Sequence, residues 1–283
     1  MNSALITGSE GFIGRHLVDK LAKEKIKIIR FSRQTGKDVS NKTDWDKLPI
    51  TDTVFHLAAV SGYKDCLENT NLAYQVNVSG TVNALEHCRC TKAKLIFPST
   101  YVYDQPYEEI KRETDSCRPS THYAFTKWLG EELCHFYTRV FKVNTLILRT
   151  SNVFGSGQED KYLVPLIFNN ILQSRKFTLT KPEIERSFVY IDDLVEAYIG
   201  LAKTKTMPGE IYNIGPEKST TLEQLIQIME KITAKPAKVS WSGQERPSEI
   251  NLNRINIRKM QAILHWYPKT SMESGLKKML AKP

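Results

Sequence analysis

The chain has 283 residues, of which 41% are hydrophobic, 10% aromatic and 25% charged. That composition fits a folded chain of one large or two modest domains, and no run approaches the roughly 18 apolar residues a membrane span needs. The net charge of +9 comes from scattered Lys and Arg without a nucleic-acid-binding signature, so it predicts attraction for small anions and no nucleic-acid partner.

The first two-thirds of the chain alternates short apolar runs with longer helical ones. "SALITG" reads as a strand, "GFIGRHLVDKLAKE" as a helix and "IKIIRFS" as a strand. "DTVFHLAA" is a third strand, "YQVNVSGTVNALEHC" a helix and "AKLIFPS" a fourth strand. "HYAFTKWLGEELCHFYTRVF" is a long helix, and "VNTLILRTS" closes the series. Near-continuous apolar strands alternating with helices predict an α/β fold, a doubly wound parallel sheet covered on both faces. After Gly155 the pattern changes. "KYLVPLIFNNILQ" is helical, "RSFVYIDDLVEAYIGLAK" is a strand feeding a helix, and "GEIYNIGP" is a strand. "TTLEQLIQIMEKI" is a helix with a threonine at its cap, 236–255 is polar and proline-punctuated, and "SMESGLKKML" is a last helix. The expected division is a doubly wound domain over 1–155 plus roughly 186–203, and a smaller α/β lobe over 156–185 and 204–283.

Five cysteines (Cys66, Cys88, Cys90, Cys117, Cys134) show neither framework spacing nor a CxxC pair. They predict reduced thiols in the cytoplasm and no metal site. The opening "MNSALITGSEGF" lacks a basic segment followed by a long apolar run, so no secretory leader is expected and no membrane partner.

Two local patterns carry chemistry. Gly8-Ser9-Glu10-Gly11-Phe12-Ile13-Gly14 follows a strand and opens a helix. Glycines there let the backbone turn tightly toward a pyrophosphate, while the helix N-terminus offers amide donors. Tyr123 and Lys127 stand one helical turn apart. A free phenol titrates near ~10, too high for efficient proton transfer at neutral pH, and a cation one turn away stabilises the phenolate.

TGSEGFIG together with YxxxK resembles the extended short-chain dehydrogenases/reductases, and more narrowly the NAD-dependent epimerase/dehydratases that act on nucleotide sugars. The resemblance runs nearly end to end, through "HLAA", "NVSGTVNALE", "IFPSTYVYD", "LRTSNVFGSGQ", "RSFVYIDDLVEA", "YNIG" and "ERPSEI". It implies a Rossmann fold with Gly8, Gly11, Phe12, Ile13 and Gly14 under the cofactor, Leu57, Ala58 and Ala59 lining it, and Asn77 supporting it. It implies Ser99, Tyr123 and Lys127 as catalytic residues, with Tyr123 and Lys127 also touching the cofactor and Lys127 holding the nicotinamide ribose. Thr100 is the neighbouring candidate for the Ser99 role. Asn152, Arg186 and Arg246 are implied at the substrate diphosphate. The resemblance also implies a homodimer formed through a helix bundle, using 75–90 and 124–141. His56 is expected to pack rather than react.

Three departures shape the expected reaction. Ser32 and Arg33 stand where many members end the second strand with a ribose-binding aspartate, so NADP(H) is expected over NAD(H). The residues after Ser99 are Thr100 and Tyr101, not the Asp-Glu pair of the 4,6-dehydratases, which disfavours dehydration. Only some twenty residues separate Arg33 from Asp52, so the family's next strand is expected to be abbreviated. The leading expectation is an NADPH-dependent 4-ketoreductase of a nucleotide-diphosphate 4-keto sugar. The alternative is a 4-epimerase with retained NAD. A non-catalytic cofactor-sensing or nucleic-acid-binding relative is a third reading, which retention of the Tyr-Lys pair argues against.

Overall fold

The structure is a computed structural model that describes residues 1–103, 110–244 and 254–281. The described residues form two compact units. The first holds 1–103, 116–150 and 195–212; the second holds 110–115, 151–194, 213–244 and 254–281.

In chain order the first unit opens with β1 (Ser3–Thr7), α1 (Phe12–Lys23) and β2 (Lys27–Phe31). A short 3-10 turn over Arg33–Thr35 and the small helix α2 (Thr43–Asp46) lead to β3 (Thr53–His56). No strand forms between β2 and β3, so β2 stays at the sheet edge, in line with the abbreviation expected there. α3 (Tyr63–Glu68), α4 (Thr70–Tyr74), a π-helical turn over Gln75–Ser79 and α5 (Gly80–Thr91) follow. β4 (Lys94–Thr100), α6 (His122–Phe141) and β5 (Thr145–Thr150) complete the series.

The chain continues through β6 (Asn152–Phe154), α7 (Leu163–Leu172), β7 (Lys176–Leu179), β8 (Glu185–Arg186) and β9 (Phe188–Tyr190). Then come α8 (Ile191–Lys203) and β10 (Glu210–Ile214). The last elements are β11 (Thr220–Thr221), α9 (Leu222–Thr233), β12 (Lys238–Trp241), α10 (Arg258–Leu264) and α11 (Met272–Ala281).

The main sheet has the order β10-β5-β4-β3-β1-β2, and β2, β1, β3, β4 and β5 run parallel. Its strands are apolar because both faces are covered: every residue of β3 and β5 is buried, whereas edge strand β2 is half open. Leu5, Phe31, Val54, Leu95 and Ile147 meet Leu85, Cys88 and Tyr137 in one core cluster. Each such aliphatic or aromatic side chain contributes about 1.5–3 kcal/mol by leaving water.

Within the second unit β6 pairs with β9 and β7 with β12, both parallel, while β8 and β11 pair antiparallel. Gly275 of α11 lies so near the rings of Phe154 and Tyr190 that a Cβ there would come within 2.6 Å of Phe154. Asp193 accepts the Thr270 N–H at 2.8 Å, which ties the segment before α11 to the start of α8.

Two sequence expectations need adjustment. The strand expected over 52–59 ends at His56, because Ala58 turns its N–H onto Thr7 Oγ1 (3.1 Å) instead of a neighbouring strand. The polar segment from 236 onward contains β12, whose short KVSW run pairs with β7 and is too brief to show a period.

Candidate active site

The glycine turn is built by close approach. Gly8 has φ +66°, and a Cβ on it would lie 2.9 Å from Ala58 N; its own N–H donates to Phe31 O at 2.8 Å. A Cβ on Gly14 would lie 2.1 Å from Gly8 O, so the first turn of α1 presses directly on the loop. Gly11 is the N-cap of α1, with no side-chain cap and no acidic residue in the first turn. The first amides therefore remain to receive an anion. The one carboxylate in the turn, Glu10, pairs with Arg30 at 3.3 Å. Phe12 and Ile13, half-buried, open the helix, Leu57 and Ala58 lie opposite Gly8, and Ala59 follows them, half-buried. This backbone cradle, which side chains would fill, fits a dinucleotide pyrophosphate.

Ser32 is buried and its hydroxyl accepts the Thr35 N–H, a cap that leaves Arg33 exposed as the first residue of the 3-10 turn. His56 stacks on Phe97 and bonds Thr7 Oγ1 at 3.0 Å; burial pulls it down to about 3, so it packs as a neutral ring.

α6 carries the candidate pair Tyr123 and Lys127. Thr121 caps the helix by accepting the Ala124 N–H at 3.1 Å, which sets Tyr123 in the first turn. Tyr123, Lys127 and Glu131 share one helix face at four-residue spacing. Lys127 is buried with Nζ 4.5 Å from the centre of the Phe97 ring. Burial pulls its ammonium down to about 8, against the opposing pull of Glu131.

Asn77 sits in the π-helical turn, a feature common at functional sites. Its amide donates to Val60 O (3.0 Å) and Thr126 Oγ1 (2.9 Å) and accepts Val60 N–H (2.8 Å). Thr126 Oγ1 donates in turn to Tyr123 O at 2.9 Å. Asn77 thus locks the loop after β3 to the Tyr-Lys helix.

At the C-terminal end of β4, Ser99 and Thr100 point to opposite faces, as successive strand residues do. Thr100 Oγ1 accepts the Val102 N–H (3.1 Å), while Ser99 Oγ lies 3.0 Å from Tyr103 OH. Tyr103 OH donates to Glu131 Oε1 at 2.8 Å. Glu131 holds Arg149 of β5 in a buried fork, with Nη2 donating to Oε2 at 2.7 Å and Nε to Oε1 at 3.1 Å. Arg149 Nη2 also donates to Cys117 Sγ at 2.9 Å. Sequence reading missed Glu131, Arg149 and Thr126. Glu131 is one further turn along the face of Tyr123 and Lys127, and that spacing is the signal that marks it.

Asn152 and Arg186 belong to the second unit. Asn152 opens β6, where its N–H donates to Ser187 O at 3.0 Å, and Arg186 of β8 donates from Nη1 to Glu185 O at 2.8 Å. Arg246 lies outside the described residues. Among the described residues no group of three or more His, Cys, Asp or Glu could hold a metal ion, and no helix is long and apolar enough to cross a membrane.

A glycine cradle after β1 and a Tyr-Lys helix packed on β4 define a dinucleotide-dependent enzyme of the extended short-chain dehydrogenase/reductase type. The chain belongs to the NAD dependent epimerase/dehydratase family, whose profile matches residues 4–215. It is similar to a dTDP-4-dehydro-6-deoxyglucose reductase of Escherichia coli, at 28% identity covering 99% of this chain and 96% of the relative. A UDP-N-acetyl-alpha-D-glucosaminuronate decarboxylase of Bacillus cytotoxicus is also 28% identical, covering 98% and 96%. In three dimensions it resembles the UDP-glucose 4-epimerase of Thermus thermophilus in complex with NAD, with TM-score 0.90 and 25% identity over 99% of this chain and 98% of that one.

Proposed function

We propose that the chain is a nucleotide-sugar oxidoreductase acting at C4 of the hexose. The observation that carries this reading is the single face of Tyr123, Lys127 and Glu131, joined through Tyr103 to Ser99 beside a glycine cradle. A bound nicotinamide supplies hydride exchange at C4. Tyr123 moves the proton of the C4 oxygen, Lys127 stabilises the phenolate and holds the ribose, and Ser99 bonds the reacting oxygen. Asn152, Arg186 and Arg246 take the diphosphate, a role for which a planar guanidinium fork suits.

The first reading is a 4-ketoreductase using NADPH. Its support is Arg33, exposed at the end of β2 where a 2′-phosphate needs a cation, with no carboxylate at position 32 to repel it. The second is a 4-epimerase with retained NAD, favoured by the structural likeness to an epimerase holding NAD. Equilibrium binding of NADPH and NADH to wild type and to Arg33→Ala separates them. The ketoreductase reading expects NADPH tighter by at least about tenfold, with that advantage lost in the variant. Equal binding, unmoved by the substitution, removes this reading's support.

The working form is a homodimer. α6 exposes Phe136, Val140 and Phe141 beside a groove of about 400 Å³ lined by Val78, Leu129, Leu133 and Phe136, with Glu132 and Arg139 as charges of opposite sign that a two-fold copy can exchange. Phe136→Asp is expected to convert dimer to monomer in light scattering at unchanged fold; a wild-type monomer rejects the assignment. The five free cysteines fit a reducing, cytoplasmic setting.

A further inference from the structure

Alternation along β4 puts Phe97 and Ser99 on one face, and both meet α6. Ser99 does so through Tyr103 and Glu131, Phe97 through Lys127 and Gly130. Lys127 Nζ stands over the buried Phe97 ring, 4.5 Å from its centre. The tip of that ring runs under Gly130, where a Cβ would lie 2.3 Å from Cζ and 3.0 Å from each Cε. His56 stacks beside it, with 6.3 Å between ring centres. Fixed between His56 and Gly130, the ring has little room to turn away from the ammonium.

Among the described residues the Lys127 ammonium makes no hydrogen bond or ion pair. The titratable groups that act on it are Glu131 and Cys134 of α6, Cys66 of α3 and His56 of β3. Burial keeps both thiols and the imidazole neutral. Glu131 is the one carboxylate in the set, and Arg149 and Tyr103 already share it. The remaining support for the charge is the electron-rich face of Phe97. We infer that Phe97 is a positioning residue whose ring face seats the Lys127 ammonium one helical turn from Tyr123. A leucine there would bury the ammonium as deeply but offer no such face. The seat stands on the contacts between β4 and α6; its bearing on cofactor binding rests on the ribose role proposed for Lys127.

The test follows Lys127 itself, without cofactor. Lysine labelled with carbon-13 at Cε is introduced into wild type, Phe97→Leu and a protein carrying 3,5-difluorophenylalanine at position 97. The Lys127 resonance is assigned by its absence from Lys127→Met and followed against pH. Wild type is expected to titrate at about 8, with its Cε protons moved upfield by the ring current. Phe97→Leu should lose that upfield shift. A charged form deprived of a stabilising contact gives up its proton at lower pH, so its titration should fall by about one pH unit. The difluorinated ring, close in shape but with a weakened face, should fall between the two. A cavity that merely admits water would move the titration upward instead. An unmoved or raised titration in Phe97→Leu, or a difluorinated protein identical to wild type, overturns the inference. If the leucine variant does not fold, the difluorinated protein decides alone. Affinity for NADPH and NADH, read by cofactor fluorescence, is the second measurement. It should weaken as Lys127 loses its proton, and do so about one pH unit earlier in Phe97→Leu. Cofactor affinity that stays flat across this range, beside a lowered Lys127 titration, upholds the seat and overturns the ribose role of Lys127.

Discussion

Tyr123→Phe is expected to lower turnover by about 10²–10⁴-fold while leaving the fold and the cofactor affinity within a few-fold of wild type. The substitution removes one oxygen and nothing else. The ring keeps its place because the helix entry is fixed elsewhere, by the Thr121 cap and by the Thr126 bond to Tyr123 O, which is backbone and survives the change. The glycine cradle after β1 contains no atom of Tyr123. What is lost is the group proposed to give and take the C4 oxygen's proton. Lys127 is not expected to substitute for it: its ammonium is buried over Phe97, and the proposed mechanism gives it charge to hold rather than a proton to move. Steady-state turnover of a nucleotide sugar, paired with equilibrium cofactor titration and a thermal melt, checks all three statements. Normal turnover in this variant would overturn the acid–base assignment.

How much of this could be read from residues depends on the distance over which each feature acts. Tyr123 and Lys127 were legible because helical periodicity alone puts them on one face. The glycine turn was legible because strand, Gly8, Gly14 and helix lie close together in the chain and the clash at Gly14 is with Gly8 and Ser9; the clash at Gly8, with Leu57 and Ala58 after β3, was not. The Thr221 cap of α9 and the whole of α6 were legible for the same reason. The link from Ser99 to Glu131 was not. It passes through Tyr103, 28 residues before Glu131, and depends on β4 lying under α6, a contact no period reveals. Asn77 shows a subtler limit. Its position near the site was legible, but its partners, Val60 and Thr126, emerge only once the loop after β3 meets α6. A π-helical turn has no signature in a 3.6-residue pattern, and β12 is four residues long.

Gly14→Ala is expected to cost the protein about 1–3 kcal/mol of stability and to weaken dinucleotide binding by at least about a hundredfold. The added methyl would lie 2.1 Å from Gly8 O and 2.9 Å from Ser9 C and Cα. All three are backbone atoms, so no side chain can swing aside. Either α1 lifts from the turn or the turn opens. Both movements spoil the same device, because the anion site consists of amides at the start of α1 held against the Gly8–Gly11 bend. Burial offers no compensation, since Gly14 is already enclosed and its neighbours are close-packed. The control is Gly243→Ala in the second unit. Unlike helical Gly14, Gly243 has a positive φ, +70°, yet a Cβ there meets nothing within 4 Å. That variant carries backbone strain of about 1 kcal/mol without a clash and should bind cofactor as wild type does. Isothermal titration with NAD and NADPH, alongside denaturant melts of both variants, separates steric loss at the cradle from general destabilisation. Wild-type affinity in Gly14→Ala would mean that the dinucleotide phosphates bind away from the turn after β1.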